Sequence, residues 1–169
     1  MKLIISNKDN IKEAEVTEVV KRVKALIINS KKEILLVYSH NDYEFLGGHV
    51  EDGELYMDTL IRELREEAGI ELANIKISPF AFKQGYYRDH PSKGKNRKTE
   101  IYYYEILTDN APDLKKQKLT RHEKDGKFTL KYVPLSKVKK VLRDNAKKYG
   151  DQFGIQKEMI EIIDVYNSL

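Results

Sequence analysis

Three glutamates, Glu63, Glu66 and Glu67, crowd into five residues of a segment whose apolar residues Met57, Leu60, Ile61, Leu64 and Ala68 recur at the spacing of one helix face. At about 100° per residue, the three carboxylates fall together on a face apart from that stripe. Like charges set side by side or four apart cost an isolated helix about 0.2–0.5 kcal/mol per pair, so something should offset their repulsion. A hard divalent cation would do so, because Mg²⁺ prefers several carboxylate oxygens and keeps waters that a phosphate can displace. The plain alternative is a solvated face on which Arg62 and Arg65 pair with the glutamates. The residues just before the helix argue against it. Phe45-Leu46-Gly47-Gly48-His49-Val50-Glu51-Asp52-Gly53-Glu54 is a glycine-rich connection in which backbone carbonyls and amides can approach a ligand closely.

Those side chains need a frame, and the rest of the chain supplies strands and helices for one. Arg22 to Asn29 and Glu33 to Tyr38 are β-branched runs separated by Ser30-Lys31-Lys32, which predicts a hairpin. A helix is predicted over Met57 to Ala68, with Gly69 as its stop. Ile75 to Gly85 and Thr99 to Leu107 read as strands divided by a turn-rich surface loop from Arg88 to Asn96. Phe128 to Val133 alternates with period two and ends at Pro134, and Ser136 is a candidate cap for a helix running to Lys148. A last helix begins near Gln156 and carries Met159, Ile160, Ile163 and Tyr166. Strands mixed with early and late helices predict an α/β layered fold. No repeat or linker divides residues 1–169, so the expectation is a single domain.

Composition narrows the chemistry further. The chain has no cysteine, which excludes disulfide scaffolds, thiol nucleophiles and cysteine-ligated zinc or iron–sulfur sites. Any metal must therefore sit on oxygen or imidazole. No apolar run approaches the roughly 20 residues of a membrane helix, and Leu3-Ile4-Ile5 is too short for a signal-peptide core, so the expected location is cytoplasmic with no membrane partner. Lys and Arg total 31 against 27 Asp and Glu, a net charge of +4 that is weak evidence for nucleic acid.

At this point the sequence resembles the Nudix hydrolase family. That family's signature is a Gly, five residues, a Glu, seven residues, then Arg-Glu-aliphatic-any-Glu-Glu-any-Gly-aliphatic. Here it reads Gly48, Glu54 and Arg62-Glu63-Leu64-Arg65-Glu66-Glu67-Ala68-Gly69-Ile70, with every fixed position filled. The resemblance implies a Nudix-like α/β/α sandwich with a mixed β-sheet. It implies hydrolysis of a phosphoanhydride in a nucleoside diphosphate linked to another moiety: a nucleoside triphosphate, a dinucleoside polyphosphate or a nucleotide sugar. It further implies Mg²⁺ or Mn²⁺ held by Glu63, Glu66, Glu67 and the carbonyl of Gly47, with Glu67 the foremost direct ligand and Glu63 available to orient or deprotonate water. Arg62 and Glu54 look like the family's structural pair, fixing the loop at Gly48 against the helix. Leu46 stands where many members have proline, a departure that leaves the loop freer in the unfolded chain.

Outside the signature the signals are weaker. Tyr86, Tyr87, Arg88 and His49 are the candidate substrate-binding residues: an aromatic near Tyr86 stacks on a nucleobase in some members, and the basic loop from Arg88 to Lys98 could close over phosphates. One of Tyr102, Tyr103 and Tyr104 should face solvent or a pocket, since neighbours on a strand alternate. Glu100 and Glu105 are candidates for an additional acid, as ligand or base. His40, His90 and His122 lack metal-ligand spacing and read as surface histidines. Lys115-Lys116-Gln117-Lys118 with Arg121 reads as a solvated turn. Two rival functions remain, an RNA 5′-end pyrophosphohydrolase and a non-catalytic nucleotide-binding sensor. The favoured partner is a small-molecule nucleotide rather than nucleic acid, and a homodimer is compatible with the sequence without being demanded by it.

Overall fold

A computed structural model describes all residues, Met1 to Leu169. Its elements in chain order are β1 (Lys2–Ser6), β2 (Glu18–Ile28), β3 (Glu33–Ser39), β4 (Asp42–Glu44), α1 (Tyr56–Ala68), β5 (Ile77–Tyr87), β6 (Arg97–Leu107), α2 (Arg121–Asp125), β7 (Thr129–Pro134), α3 (Val138–Tyr149) and α4 (Ile155–Asn167). The strands form one seven-stranded mixed sheet in the order β1-β5-β6-β2-β3-β4, with β7 paired to β3 off that path. Alternation along β2 explains the layers. Val23, Ala25 and Ile27 pack with Leu60, Leu64 and Ala68 of α1, whereas Leu26 and Ile28 pack with Val138 and Leu142 of α3 and Met159, Ile162 and Ile163 of α4. The result is an α/β/α sandwich, as expected.

The feature that matters for function is where the sheet comes apart. β2 runs parallel to β6 over its whole length, yet it pairs with β3 only at Ile27↔Leu35 and Ile28↔Ile34. Beyond those pairs the two strands diverge. The connection before α1 fills the gap by bonding to the freed edge of β2: Val23 N donates to Gly48 O at 3.0 Å, Ala25 N to Leu46 O at 2.9 Å and Val50 N to Lys21 O at 3.0 Å. These bonds satisfy backbone groups that the splayed hairpin would otherwise strand, and they bring the double glycine to the mouth of a cleft.

Several elements differ from the sequence-based expectation. β1 was not expected; it is an edge strand running parallel to β5, and only Ile4 packs against the core while Leu3 and Ile5 are exposed. So short a strand shows almost no alternation. Ser136 does not cap α3, whose N-terminal flank is Lys137 with no side-chain cap. Met57 lies at the edge of the helix stripe and is exposed. No helix is long and apolar enough to cross a membrane.

Candidate active site

The cleft opened by the divergence of β2 and β3 has a volume of about 540 Å³. One wall is α1 and the loop before it, which bring Gly47, Gly48, His49, Glu51, Arg62, Glu63, Glu66 and Glu67 to the same surface. The signature residues that line the cleft are thus gathered in one place, and Glu54, behind them, holds their arginine.

Arg62 is the hub of this wall. Its Nε and Nη2 donate to the two oxygens of Glu54 at 2.8 and 2.9 Å, its Nη2 also donates to the His49 carbonyl at 3.1 Å, and its Nη1 donates to Glu63 at 2.9 Å. Such a two-pronged guanidinium–carboxylate pair fixes orientation as well as adding energy. Glu54 in turn accepts from Thr59 Oγ1 at 2.7 Å and Glu51 N at 3.2 Å. Loop and helix are therefore clamped by one network, as the resemblance implied. The hydrogen bonds from Arg62, opposed only in part by desolvation, push the Glu54 carboxyl down to about 2. Its stabilising contribution is complete above its ordinary value of 4.5 and is lost as pH falls toward 2. Glu54→Gln is therefore expected to lower stability by about 2 kcal/mol at pH 7, and the gap in urea midpoint between the two proteins should close steadily below pH 4.5.

Glu67 sits differently from its neighbours. It is 7% exposed, and its carboxylate accepts the Gly47 N–H at 2.8 Å. Burial drives its carboxyl up to about 8, against the opposing pull of Lys24 and the Gly47 amide. Glu63 is also raised by burial, with Arg62 opposing. Both are pushed further the same way by Glu123, which stands on the other wall of the cleft. A buried carboxylate facing further carboxylates is a site waiting for positive charge.

No three of these groups converge at ligating distance in this structure. Glu63 and Glu66 are turned to Arg62 Nη1, at 2.9 and 3.5 Å. Gly48 explains why Glu63 can lie so close to the loop, because a Cβ at that position would overlap the Glu63 carboxylate. The Gly47 carbonyl accepts no hydrogen bond within the chain. The donor set of three carboxylates and a free carbonyl is all oxygen and suits a hard divalent ion.

The opposite wall was not foreseen. His40 at the β3–β4 turn, Lys118 and Thr120 on the segment before α2, and His122 and Glu123 on α2 all line the cleft, with Arg22, Lys24 and Glu44 on its floor. The position of this wall follows from how α1 ends. Asp113 N, Gln117 Nε2 and Lys118 N donate to the carbonyls of Ala68, Glu67 and Glu66 at 2.8, 2.7 and 2.8 Å, satisfying acceptors that any helix leaves open at its C-terminus. This docking delivers Lys118 to the rim. A sequence signal for the next element was present: Thr120-Arg121-His122-Glu123 is a capping box, and in the structure both of its reciprocal bonds form. The basic stretch expected to be a solvated turn thus continues into a short helix on the cleft.

The candidate substrate residues fare unevenly. His49 lines the cleft, where its Nε2 accepts from Arg22 Nε at 3.1 Å; burial, then the Arg22 charge, lowers its pKa. Tyr86, Tyr87 and Arg88 do not line it. Tyr86 OH donates to Glu13 and Arg88 reaches Glu15 at 3.4 Å and the Asp9 carbonyl at 3.3 Å, so both are tied to the segment after β1. The loop from Arg88 to Asn96 connects β5 to β6 away from the cleft. Glu100 pairs with Lys98 at 3.2 Å and Glu105 accepts from Tyr166 at 2.6 Å, so neither faces the cleft; the acids there from outside the signature are Glu44, which is paired with Lys24, and Glu123. Tyr103 and Tyr104 are buried, and Tyr102 packs on Tyr56 and Phe82 with ring centroids 4.5 and 4.4 Å away, so none of the three opens to a substrate.

Comparison with known proteins agrees with this architecture. The NUDIX domain family profile matches residues 19–153. A sequence search of curated proteins gives no match. Among solved structures, a MutT protein from Methanosarcina mazei Go1 superposes with a TM-score of 0.56 at 19% identity, covering 90% of this chain and 97% of that one. The Ap4A hydrolase of C. elegans gives 0.54 at 21% identity, with 88% and 96% covered. The dihydroneopterin triphosphate pyrophosphohydrolase of E. coli gives 0.54 at 14% identity, with 79% and 93% covered. At these identities the structural likeness speaks for the fold, while the profile match spans most of the chain and includes the whole clamped helix wall. The chain belongs to the NUDIX domain family.

Proposed function

We propose that this protein hydrolyses a phosphoanhydride bond in a nucleoside diphosphate linked to another moiety, with Mg²⁺ or Mn²⁺ as cofactor. The observation that carries this reading is Glu67: a buried carboxylate, pushed up to about 8 and held on the Gly47 amide beside Glu63 and Glu66. A purely structural helix face has no use for a charge placed so unfavourably. Glu63, Glu66, Glu67 and the Gly47 carbonyl would hold the cation. Bound there, it would neutralise phosphoryl charge and lower the pKa of a bound water.

The chain's own residues have separable tasks. Arg62 holds Glu63 in place and, through Glu54 and the His49 carbonyl, fixes the loop that presents Gly47. Glu63, whose carboxyl is raised by burial and which lines the cleft, is placed to accept a proton from water. Lys24, which is paired with Glu44 at 3.2 Å and donates to the Phe45 carbonyl at 3.1 Å, sets a positive charge on the cleft floor where an anionic substrate would lie.

The test is a phosphate-release screen over nucleoside triphosphates, dinucleoside polyphosphates, nucleotide sugars and 5′-triphosphorylated RNA, with Mg²⁺ or Mn²⁺. Metal-dependent turnover of one class is expected. Activity confined to the RNA would favour the 5′-end reading, and binding of a nucleotide with no turnover of any compound would favour a sensor.

A further inference from the structure

Two histidines with no part in the family signature meet at the cleft. His40, at the tip of the β3–β4 hairpin, and His122, on α2, lie with ring centroids 4.4 Å apart and planes inclined by 20°, and both line the cavity. Three features of the surrounding chain hold this pair in place. Ser39 pairs with Asp42, so His40 and Asn41 alone make the turn, at φ of +51° and +65°. That left-handed pair is a conformation in which non-glycine residues are uncommon. Gly126 has an ordinary φ of −75°, open to any residue, yet a Cβ there would overlap the His40 ring and the Ser39 hydroxyl. It is a glycine for space, and the space is taken by an imidazole. Ser39 Oγ lies 3.0 Å from His40 Nδ1, and the His40 amide donates to the Gly126 carbonyl at 2.9 Å. With Nδ1 engaged, Nε2 is the ring atom left to meet a ligand.

The cleft's other cations are largely spoken for. Arg62 is bound to Glu54 and Glu63, Lys24 to Glu44, and Arg22 to His49. Lys118 stands exposed on the rim beside the histidine pair's segment. None of the chain's 11 tyrosines lines the cleft, and of the two phenylalanines that do, Phe45 is buried in the core and Phe128 is half-buried against it, so charge is the better-supplied means of recognition. The pair also sits on elements other than α1, across from the carboxylate wall.

We propose that His40 and His122, with Lys118, form a second phosphate subsite. On the hydrolase reading above, which this inference rests on, it receives the phosphoryl group beyond the two that flank the cleaved bond. The substrate class is then one with three or more phosphoryl groups in a row, a nucleoside triphosphate or dinucleoside polyphosphate rather than a nucleotide sugar. His40 and His122 are binding residues in this assignment, with no role in the bond-breaking step.

The experiment is an NMR titration of the imidazole C–H resonances with inorganic tripolyphosphate, without divalent metal, in the full chain and in His40→Asn and His122→Gln. Asparagine tolerates the left-handed turn, so the first variant keeps the hairpin. The chain has four histidines, and His90 on the β5–β6 loop serves as the internal control. His40 and His122 are expected to shift while His90 stays, with affinity falling about 10-fold in either variant through loss of a charge-assisted hydrogen bond. Unmoved His40 and His122 resonances, or affinities within about two-fold of the parent in both variants, would overturn the proposal. A parallel hydrolysis assay on a triphosphate keeps the two readings apart. There the variants should raise KM with kcat nearly unchanged; an equal fall in kcat and kcat/KM would overturn the binding role. Shifts in the absence of any turnover would leave the subsite standing and sink the hydrolase reading instead.

Discussion

Glu67→Gln is expected to cut metal-dependent turnover by at least about 10²-fold, the scale on which charged groups at a reacting phosphoryl centre act, while the protein stays as stable as its parent or gains. The two halves of that expectation have one cause. Glu67 is nearly buried, and only the Gly47 amide and the Lys24 charge oppose the cost of its charge. Glutamine fills the same volume, and its side-chain carbonyl can accept the same Gly47 N–H, so the loop keeps its anchor. What disappears is an ionisable group that must take up a proton for the metal-free chain to fold at neutral pH, because its carboxyl is pushed up from 4.5 to about 8. Removing that requirement relieves a burden on folding while depriving the cation of a ligand charge. The measurement is a pair of melting curves, with and without Mg²⁺ or Mn²⁺, beside the hydrolysis assay. The parent should gain thermal stability from the metal by mass action, and the variant should gain far less. A variant that loses activity together with several degrees of Tm would argue that Glu67 is a structural brace. One that keeps full turnover would remove it from the metal site altogether.

How much of this was legible in the sequence depends on whether a residue's partner is near in the chain. The 3.6-residue period of Leu60, Leu64 and Ala68 announced α1, and the spacing from Gly48 through Glu54 to Arg62 announced the clamp, because each interaction closes within a few turns. The splaying of β2 from β3 left no such mark: apolar residues continue past the last pair on both strands, at Ala25 and Leu26 and at Leu36 and Val37, and the break is set by what the Phe45–Val50 segment bonds to instead. The opposite wall was harder still. His40 and His122 are separated by about half of the chain and meet only because α2 folds back over the hairpin turn, with Gly126 yielding its side-chain volume. Tyr86 and Arg88 show the converse error. Their types and positions suited a nucleotide site, but the segment after β1, itself missed, presents Glu13 and Glu15 to them and ties them down away from the cleft.

Gly47→Ala is expected to be the most damaging single-methyl change in the chain's active region, costing about 2–5 kcal/mol of stability from backbone strain and steric overlap together. Gly47 has a φ of +125°, a conformation that L side chains rarely adopt. A Cβ there would also run into the Val23 carbonyl oxygen, and that atom belongs to β2. Neither partner can retreat cheaply. Val23 is fully buried under α1, and its own amide is bonded to Gly48 O, so moving it away means peeling the loop from the strand edge. The loop is held from its other side by the Gly47 amide on Glu67 and by Arg62 on the His49 carbonyl. Thermal unfolding should drop by about 5–15 °C for a chain of this length. Gly48→Ala makes the informative contrast, since its added methyl meets the mobile end of the Glu63 side chain rather than backbone. That variant should melt close to the parent and bind metal poorly, because Glu63 is displaced where Glu67 is not. If the two alanine variants lose the same stability, the close packing of Gly47 on β2 is not what holds the cleft open, and the support for the site must come from Arg62 and Glu54 alone.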